Sequence, residues 1–241
     1  MTWLIQTRFD DIQDRIKTAC FKSGRKVEDV TLVVVTKGQP AEKIIEIVNC
    51  GATVLGENYP EETIQKINEI NGKVNPEWHM IGHLQSRKIK LMHPTFSLIH
   101  SVDSVELARK LDNYYSGKNQ FCNILLEVNI AGEQTKFGFD ASSFSSRNVL
   151  LKDIEELSIL NNIKICGLMT MPPFANEEQE NKKFFDQCRE FRDLLVSKLS
   201  LPECNFLSMG TSADFESAIE CGATHVRIGE AIMGKRIYKN Q

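Results

Sequence analysis

From Asp29 onward, short unbroken apolar runs alternate with longer stretches in which apolar residues recur every three or four positions. The runs read as buried strands and the periodic stretches as amphipathic helices. The expected strands are Leu32–Thr36, Thr53–Leu55, Trp78–Ile81, Ser97–His100, Ile124–Asn129, Ile163–Leu168, Phe206–Ser208 and His225–Ile228. Segments such as "AEKIIEIVNC", "SVELARKLDNYY" and "NKKFFDQCREFRDLLVSKL" carry the helical period between them. Ahead of this alternation, residues 2 to 22 form an expected opening helix, with Leu4, Ile5, Phe9, Ile12, Ile16 and Ala19 at helical spacing.

Strand–helix alternation joins strands through crossovers and so implies a parallel sheet. Eight units in 241 residues suit a closed (β/α)8 barrel. The competing architecture, an open doubly wound sheet, usually carries GxGxxG after its first strand. Here the first strand runs into "TKGQPAE", so the expected fold is α/β, a single (β/α)8 TIM barrel spanning residues 1–241 plus an extra N-terminal helix. One internal echo fits a repeated plan: "CGATVLGEN" from Cys50 returns as "CGATHVRIGEA" from Cys221. Each copy reads as a helix ended by glycine, then a short strand closed by Gly-Glu.

Composition narrows the class. Charged residues make up 25% and apolar ones 41%, with a net charge of −3, as in an ordinary globular protein. No basic patch points to nucleic acid or a membrane surface, and no apolar run reaches the ~20 residues of a membrane span. The seven cysteines are scattered without CxxC spacing and read as reduced small hydrophobes, so a cytoplasmic location is expected. A monomer is expected as well.

In a barrel, function collects at the C-terminal ends of the strands. Those positions hold Lys37, "GENY" from Gly56, "GHLQS" from Gly82, Asn129, Met169, "SMGTS" from Ser208 and "RIG" from Arg227. Lys37 follows the most hydrophobic strand. It is either a lysine snorkelling into water or a desolvated amine that can form a Schiff base with an aldehyde. The hydroxyl-bearing turn at Thr211 and Ser212 leads into a helix. Thr211 with Asp214 fits a capping box, and the same turn could cradle phosphate at a helix N-terminus. The amides around Gly229 and Glu230, after the last strand, would supply the other half of such a cradle. A lysine plus a phosphate cradle suggests pyridoxal 5′-phosphate (PLP). Arg227, on the last strand, reads either as a surface ion pair or structural clamp, or as a cation that would disfavour protonation of the ring nitrogen by like charge.

Other polar residues read more simply. His79 and His83 stand four apart, but on a strand entering a glycine turn, so their spacing is not that of a zinc helix and no metal is expected. His93, His100 and His225 read as isolated. Lys136 reads as a solvated loop lysine, and Glu57, Glu61 and Glu62 as the first turns of a helix.

The motifs "VTKGQP", "GENYPEE", "WHMIGHLQSRK", "SVDSVELARKL", "VNIAGEQTKFGF", "GLMTMPP", "LSMGTSADFESAI" and "VRIGEAIMGKR" begin at Val35 and end at Arg236. Within a match that extends from Val33 to Arg236, they together resemble the pyridoxal-phosphate homeostasis protein family, PLP-binding barrels related to the alanine racemase N-terminal domain. The resemblance implies PLP held as an internal aldimine on Lys37. It implies the phosphate on Thr211, Ser212 and the amides of Gly229 and Glu230, Arg227 near the pyridine nitrogen, Asn58 beside the ring and Met209 packing nearby. It further implies a role in intracellular vitamin B6 homeostasis as a carrier or reservoir without substantial catalysis, with apo PLP-dependent enzymes as recipients. The alternatives are a single-domain fold-type III PLP enzyme, such as an amino-acid racemase, and a cofactor-free Schiff-base aldolase.

Overall fold

The computed structural model describes residues 2–173 and 177–235; Arg236, the last residue of the motif run, lies outside the described residues. The strands are β1 (Thr31–Val35), β2 (Val54–Glu57), β3 (Glu77–Met80), β4 (Leu98–Val102), β5 (Cys122–Asn129), β6 (Phe139–Asp140), β7 (Ile163–Met169), β8 (Phe206–Ser208) and β9 (His225–Ile228). The α-helices are α1 (Thr2–Lys22), α2 (Ala41–Asn49), α3 (Pro60–Ile70), α4 (Val105–Tyr115), α5 (Phe144–Ser158), α6 (Glu178–Leu199), α7 (Phe215–Glu220) and α8 (Glu230–Met233).

Eight parallel strands close a ring in the order β4-β3-β2-β1-β9-β8-β7-β5, and β5 pairs back with β4. This is the expected (β/α)8 barrel, with the extra helix α1. All eight expected strands are present with ends shifted by a residue or two. The two-residue β6, which pairs with β5, was not expected, because "TKFGFD" is too short to show a period. After β3 the crossover is a 3-10 segment, Ser86–Leu91, rather than an α-helix.

The main core lies between the strands and the helices. Helix α1 contributes Ile5, Phe9, Ile12, Ile16, Ala19 and Cys20, all buried. Leu4, included in the expected stripe, is 52% exposed, because Ile5 already occupies the edge of that face. Arg15 pairs with Glu216 on α7, and Arg25 donates to the carbonyl oxygens of Ile219 and Ala223 at 2.8 and 2.7 Å. These contacts dock α1 onto α7.

The echo has a structural counterpart. Gly51 (φ 108°) and Gly222 (φ 100°) both take the left-handed conformation that ends a helix. The amides of Ala52 and Ala223 reach back to the carbonyls of Ile47 and Ala218 at 3.2 and 2.8 Å, the six-to-one bond of a Schellman cap. The strands that follow, β2 and β9, flank β1 on its two sides. All seven cysteines are free, and all but Cys50 are buried. Among the described residues, no helix is long and apolar enough to cross a membrane.

Candidate functional site

Strand β1 delivers Thr36, fully buried, and Lys37, half-buried, to the C-terminal face of the barrel. Gly38 at φ 69° turns the chain immediately afterwards, a conformation that glycine adopts without a Cβ penalty. Both flanks of the lysine are clamped. The Thr36 hydroxyl donates to Glu57 Oε1 at 2.7 Å, and the Gly38 amide donates to Glu62 Oε1 at 2.7 Å. Lys66, on α3, joins the two carboxylates, with Nζ 2.6 Å from each and 2.8 Å from the Thr36 carbonyl oxygen. Lys43 secures the far side of the turn by bonding Gln39 Oε1 and the Met233 carbonyl at 3.0 and 3.1 Å.

Glu57 was expected on a helix. It lies instead at the end of β2 with no exposure, because the helix begins only at Pro60, leaving Glu61 and Glu62 in its first turn. Burial pushes the Glu57 carboxyl above its ordinary range, while Lys66 and Thr36 draw it back.

Asn58 follows Glu57. Its Oδ1 is buried and accepts no hydrogen bond, and Glu57 Oε2 is in the same state. Buried polar atoms are normally satisfied, so two orphan acceptors at the end of one strand are what a polar ligand's recess would contain. Gly82 makes room here: a Cβ on it would sit 2.6 Å from both Cα and O of Asn58.

On the other flank of β1, Arg227 projects from β9 and is 5% exposed. It donates to Ser208 Oγ at 2.6 Å and to the Thr170 carbonyl at 3.0 Å. Burial pulls its pKa down to about 10, with Glu127 and Asp214 opposing that fall. Glu127, on β5, is pushed up to about 7 by burial, then by Asp103, against the pull of Arg227. It borders a cavity of about 130 Å³ together with Asn129, Lys136 and Thr170. Lys136, read as a solvated loop residue, is tied to the Met171 carbonyl at 2.9 Å and to Glu133. Asn129 folds its own loop by accepting from the amides of Gly132 and Glu133.

The β8 turn keeps half of the expected capping box. Asp214 Oδ1 accepts from the Thr211 amide at 2.6 Å and from its hydroxyl at 3.1 Å. The Thr211 carbonyl in turn accepts from the amides of Asp214 and Phe215. Both donors of Thr211 are therefore committed to shaping the turn, and Ser212, half-buried, is the residue it presents next. Gly229, after β9, packs closely on β1: a Cβ there would stand 3.3 Å from Val35 Cβ. Glu230 opens α8 with its residue exposed. Met209 is fully buried in the layer between strands and helices, on the opposite face from Ser208, which reaches Arg227 inside the barrel.

The histidines read as isolated include two that are not. His79, His100 and His225 are buried together in the barrel interior, with ring centroids 5.0 to 5.9 Å apart. Their signal in the sequence is alternation: Glu77 and His79, then His225 and Arg227, occupy every second position of short strands and therefore share a face. His83 stacks on Phe137 at 3.9 Å and pairs with Asp103. No group of described residues forms a metal site.

The chain matches the family model "Alanine racemase, N-terminal domain" over residues 9–236. It is 38% identical over 234 residues to the pyridoxal phosphate homeostasis protein of Aquifex aeolicus, covering 96% of this chain and 98% of that one. It is 34% identical to the protein of the same name from Haemophilus influenzae, covering 97% of each chain. The solved structure of PipY from Synechococcus elongatus with PLP bound is similar at a TM-score of 0.82 and 30% identity, covering 95% of this chain and 100% of that one. A barrel that closes on a clamped lysine turn, matched along nearly its whole length to these proteins, belongs to the pyridoxal phosphate homeostasis protein family.

Proposed function

We propose that this chain binds PLP covalently through Lys37 and serves intracellular PLP homeostasis as a carrier or reservoir without substantial catalysis. The observation that carries the reading is the Lys37 turn, fixed on both flanks by Glu57, Glu62 and Lys66 and facing the orphan acceptors' end of β2. PLP supplies an aldehyde to a lysine amine and a phosphate to a cradle of donors. The residues present suit both ends. Lys37 provides the amine on a rigid strand end, and Asn58 Oδ1 provides a buried acceptor without a protein partner. Ser212 and the amides of Gly229 and Glu230 provide the phosphate donors, while Thr211 holds their turn in shape. Glu230 adds its amide and keeps its carboxylate outward.

In this reading Arg227, held by Ser208 and the Thr170 carbonyl, stands beside the cofactor ring as a fixed cation. A guanidinium there keeps a neighbouring pyridine nitrogen unprotonated by like-charge repulsion, which limits the cofactor as an electron sink and favours storage over turnover. Delivery to apo PLP-dependent enzymes, action as a monomer and a cytoplasmic setting complete the proposal. Glu127, pushed up to about 7, is a protonatable group on the same face and is the observation that favours the racemase alternative.

The test is the visible absorbance of the purified chain after incubation with PLP. A yellow band that borohydride removes and that Lys37→Ala lacks is expected, together with amino-acid racemisation no faster than in buffer. A colourless chain that takes up no PLP would refute the reading, and racemisation lost in Glu127→Gln would replace storage with catalysis.

A further inference from the structure

A line of side chains runs through the barrel interior. His79 Nε2 lies 3.2 Å from Glu77 Oε1, His100 Nε2 lies 3.0 Å from His79 Nδ1, and His100 Nδ1 lies 2.8 Å from Ser208 Oγ. Ser208 Oγ receives Arg227 at 2.6 Å. The line begins in the N-terminal mouth of the barrel, a cavity of about 520 Å³ bordered by Thr31, Glu77, Ser97, Asn123 and His225. It ends at Arg227, on the side of the proposed cofactor site.

One direction for every bond satisfies both ends. A guanidinium has only donors, so Ser208 Oγ accepts from Arg227 and keeps its own hydrogen to give to His100 Nδ1. In that order His100 carries its hydrogen on Nε2 and gives it to His79 Nδ1. His79 in turn carries its hydrogen on Nε2 and gives it to Glu77. From the other end, an ionised carboxylate has only acceptors and demands the same order. Glu77 is held ionised, its pKa lowered to about 2 chiefly by the His79 bond, with the Ser97 hydroxyl adding to it. Burial holds His100 well below the usual histidine range, and His225 beside the line is pulled down to about 3. One tautomer for each imidazole, with its hydrogen on Nε2, thus meets the geometry of both ends.

We propose that Glu77, His79, His100 and Ser208 are positioning residues for Arg227, a one-way hydrogen-bond line that sets the guanidinium's orientation at the cofactor face from the far mouth of the barrel. Glu77 is exposed enough to be replaced without disturbing the core, and it is the handle on the whole line. Replacing it with alanine removes the acceptor that fixes the first tautomer. Replacing it with glutamine keeps an acceptor oxygen in place.

The inference rests on the reading of Arg227 as a neighbour of bound PLP, and two measurements on the full chain separate the two claims. In the cofactor-free protein labelled with nitrogen-15 in histidine and arginine, NMR is expected to show His79 and His100 each as the single neutral Nε2–H tautomer at pH 7. Glu77→Ala is expected to replace this pattern with a tautomer mixture at both rings and to shift the Arg227 guanidinium resonances, and Glu77→Gln is expected to keep the original pattern. With PLP added, Glu77→Ala is expected to shift the visible band of the bound cofactor and Glu77→Gln to leave it in place. Nδ1–H on His100, or a Glu77→Ala chain with unchanged His100, Arg227 and cofactor signals, would overturn the line. Failure of the PLP reading would appear separately, as an unsubstituted chain that stays colourless.

Discussion

Lys66 Nζ lies 2.8 Å from the carbonyl oxygen of Thr36, the residue immediately before Lys37. One buried ammonium group thus pairs with two carboxylates and holds the backbone beside the candidate binding lysine. A buried pair broken from one side leaves an uncompensated charge. Lys66→Met is expected to destabilise the chain by about 3–5 kcal/mol and to loosen the Lys37 turn. The double variant with Glu57→Gln should recover a large part of that loss. Urea unfolding of the three chains, with PLP uptake measured alongside, checks both effects.

Glu127 makes stability depend on pH. Its folded pKa is raised from 4.5 to about 7, so between those values the folded state binds more protons than the unfolded state. Stability contributed by the protonated carboxyl is therefore full below about pH 4.5 and is lost as pH rises through about 7. The loss amounts to about 3 kcal/mol at most. Glu127→Gln should remove this component, so unfolding free energies at pH 5 and pH 8 should lie closer together in the variant than in the parent chain.

The two helix-ending glycines provide a matched pair. Gly51 and Gly222 sit at φ 108° and 100°, where a side chain costs about 1–2 kcal/mol. At Gly222 an added Cβ would also stand 3.1 Å from Arg189 Cδ, whereas at Gly51 the nearest atom is Phe9 Cε1 at 3.7 Å. Both alanine variants should unfold at lower urea concentration, Gly222→Ala by the larger margin.

Helix α1 offers a contrast of two apolar residues eight positions apart. Ile12 is 1% exposed and Leu4 is 52% exposed. Ile12→Ala should cost about 2–5 kcal/mol, and Leu4→Ala should stay within about 0.5 kcal/mol. Thermal unfolding of both variants resolves the difference.

How much of this was readable beforehand depends on the range of the physics involved. The eight barrel strands were legible because apolar runs such as Leu32–Val35 announce burial on both faces, and their order follows from right-handed parallel crossovers. The Lys37 turn was legible because a charge at the end of such a run is unusual. The clamp beneath it was not. Glu57 and Lys66 are nine residues apart in a stretch that reads as a helical charge pattern, and only the β2–α3 boundary decides which side of the turn each occupies. The histidine line was equally hidden. His79, His100 and Ser208 lie on three different strands, and only ring closure brings them within hydrogen-bond reach. Long-range proximity of this kind has no local periodicity.

The placement of β1 between β2 and β9 carries a consequence for biosynthesis. Strand β1 is made well before its second neighbour, β9, with the other strands of the barrel between them. Contacts between distant parts of a chain form only after the loop between them is closed. The β1–β9 side of the barrel therefore forms only after β9 has been made. Under the proposed function, an amine that becomes competent only when β9 closes the ring would keep unfinished barrels from capturing an aldehyde cofactor.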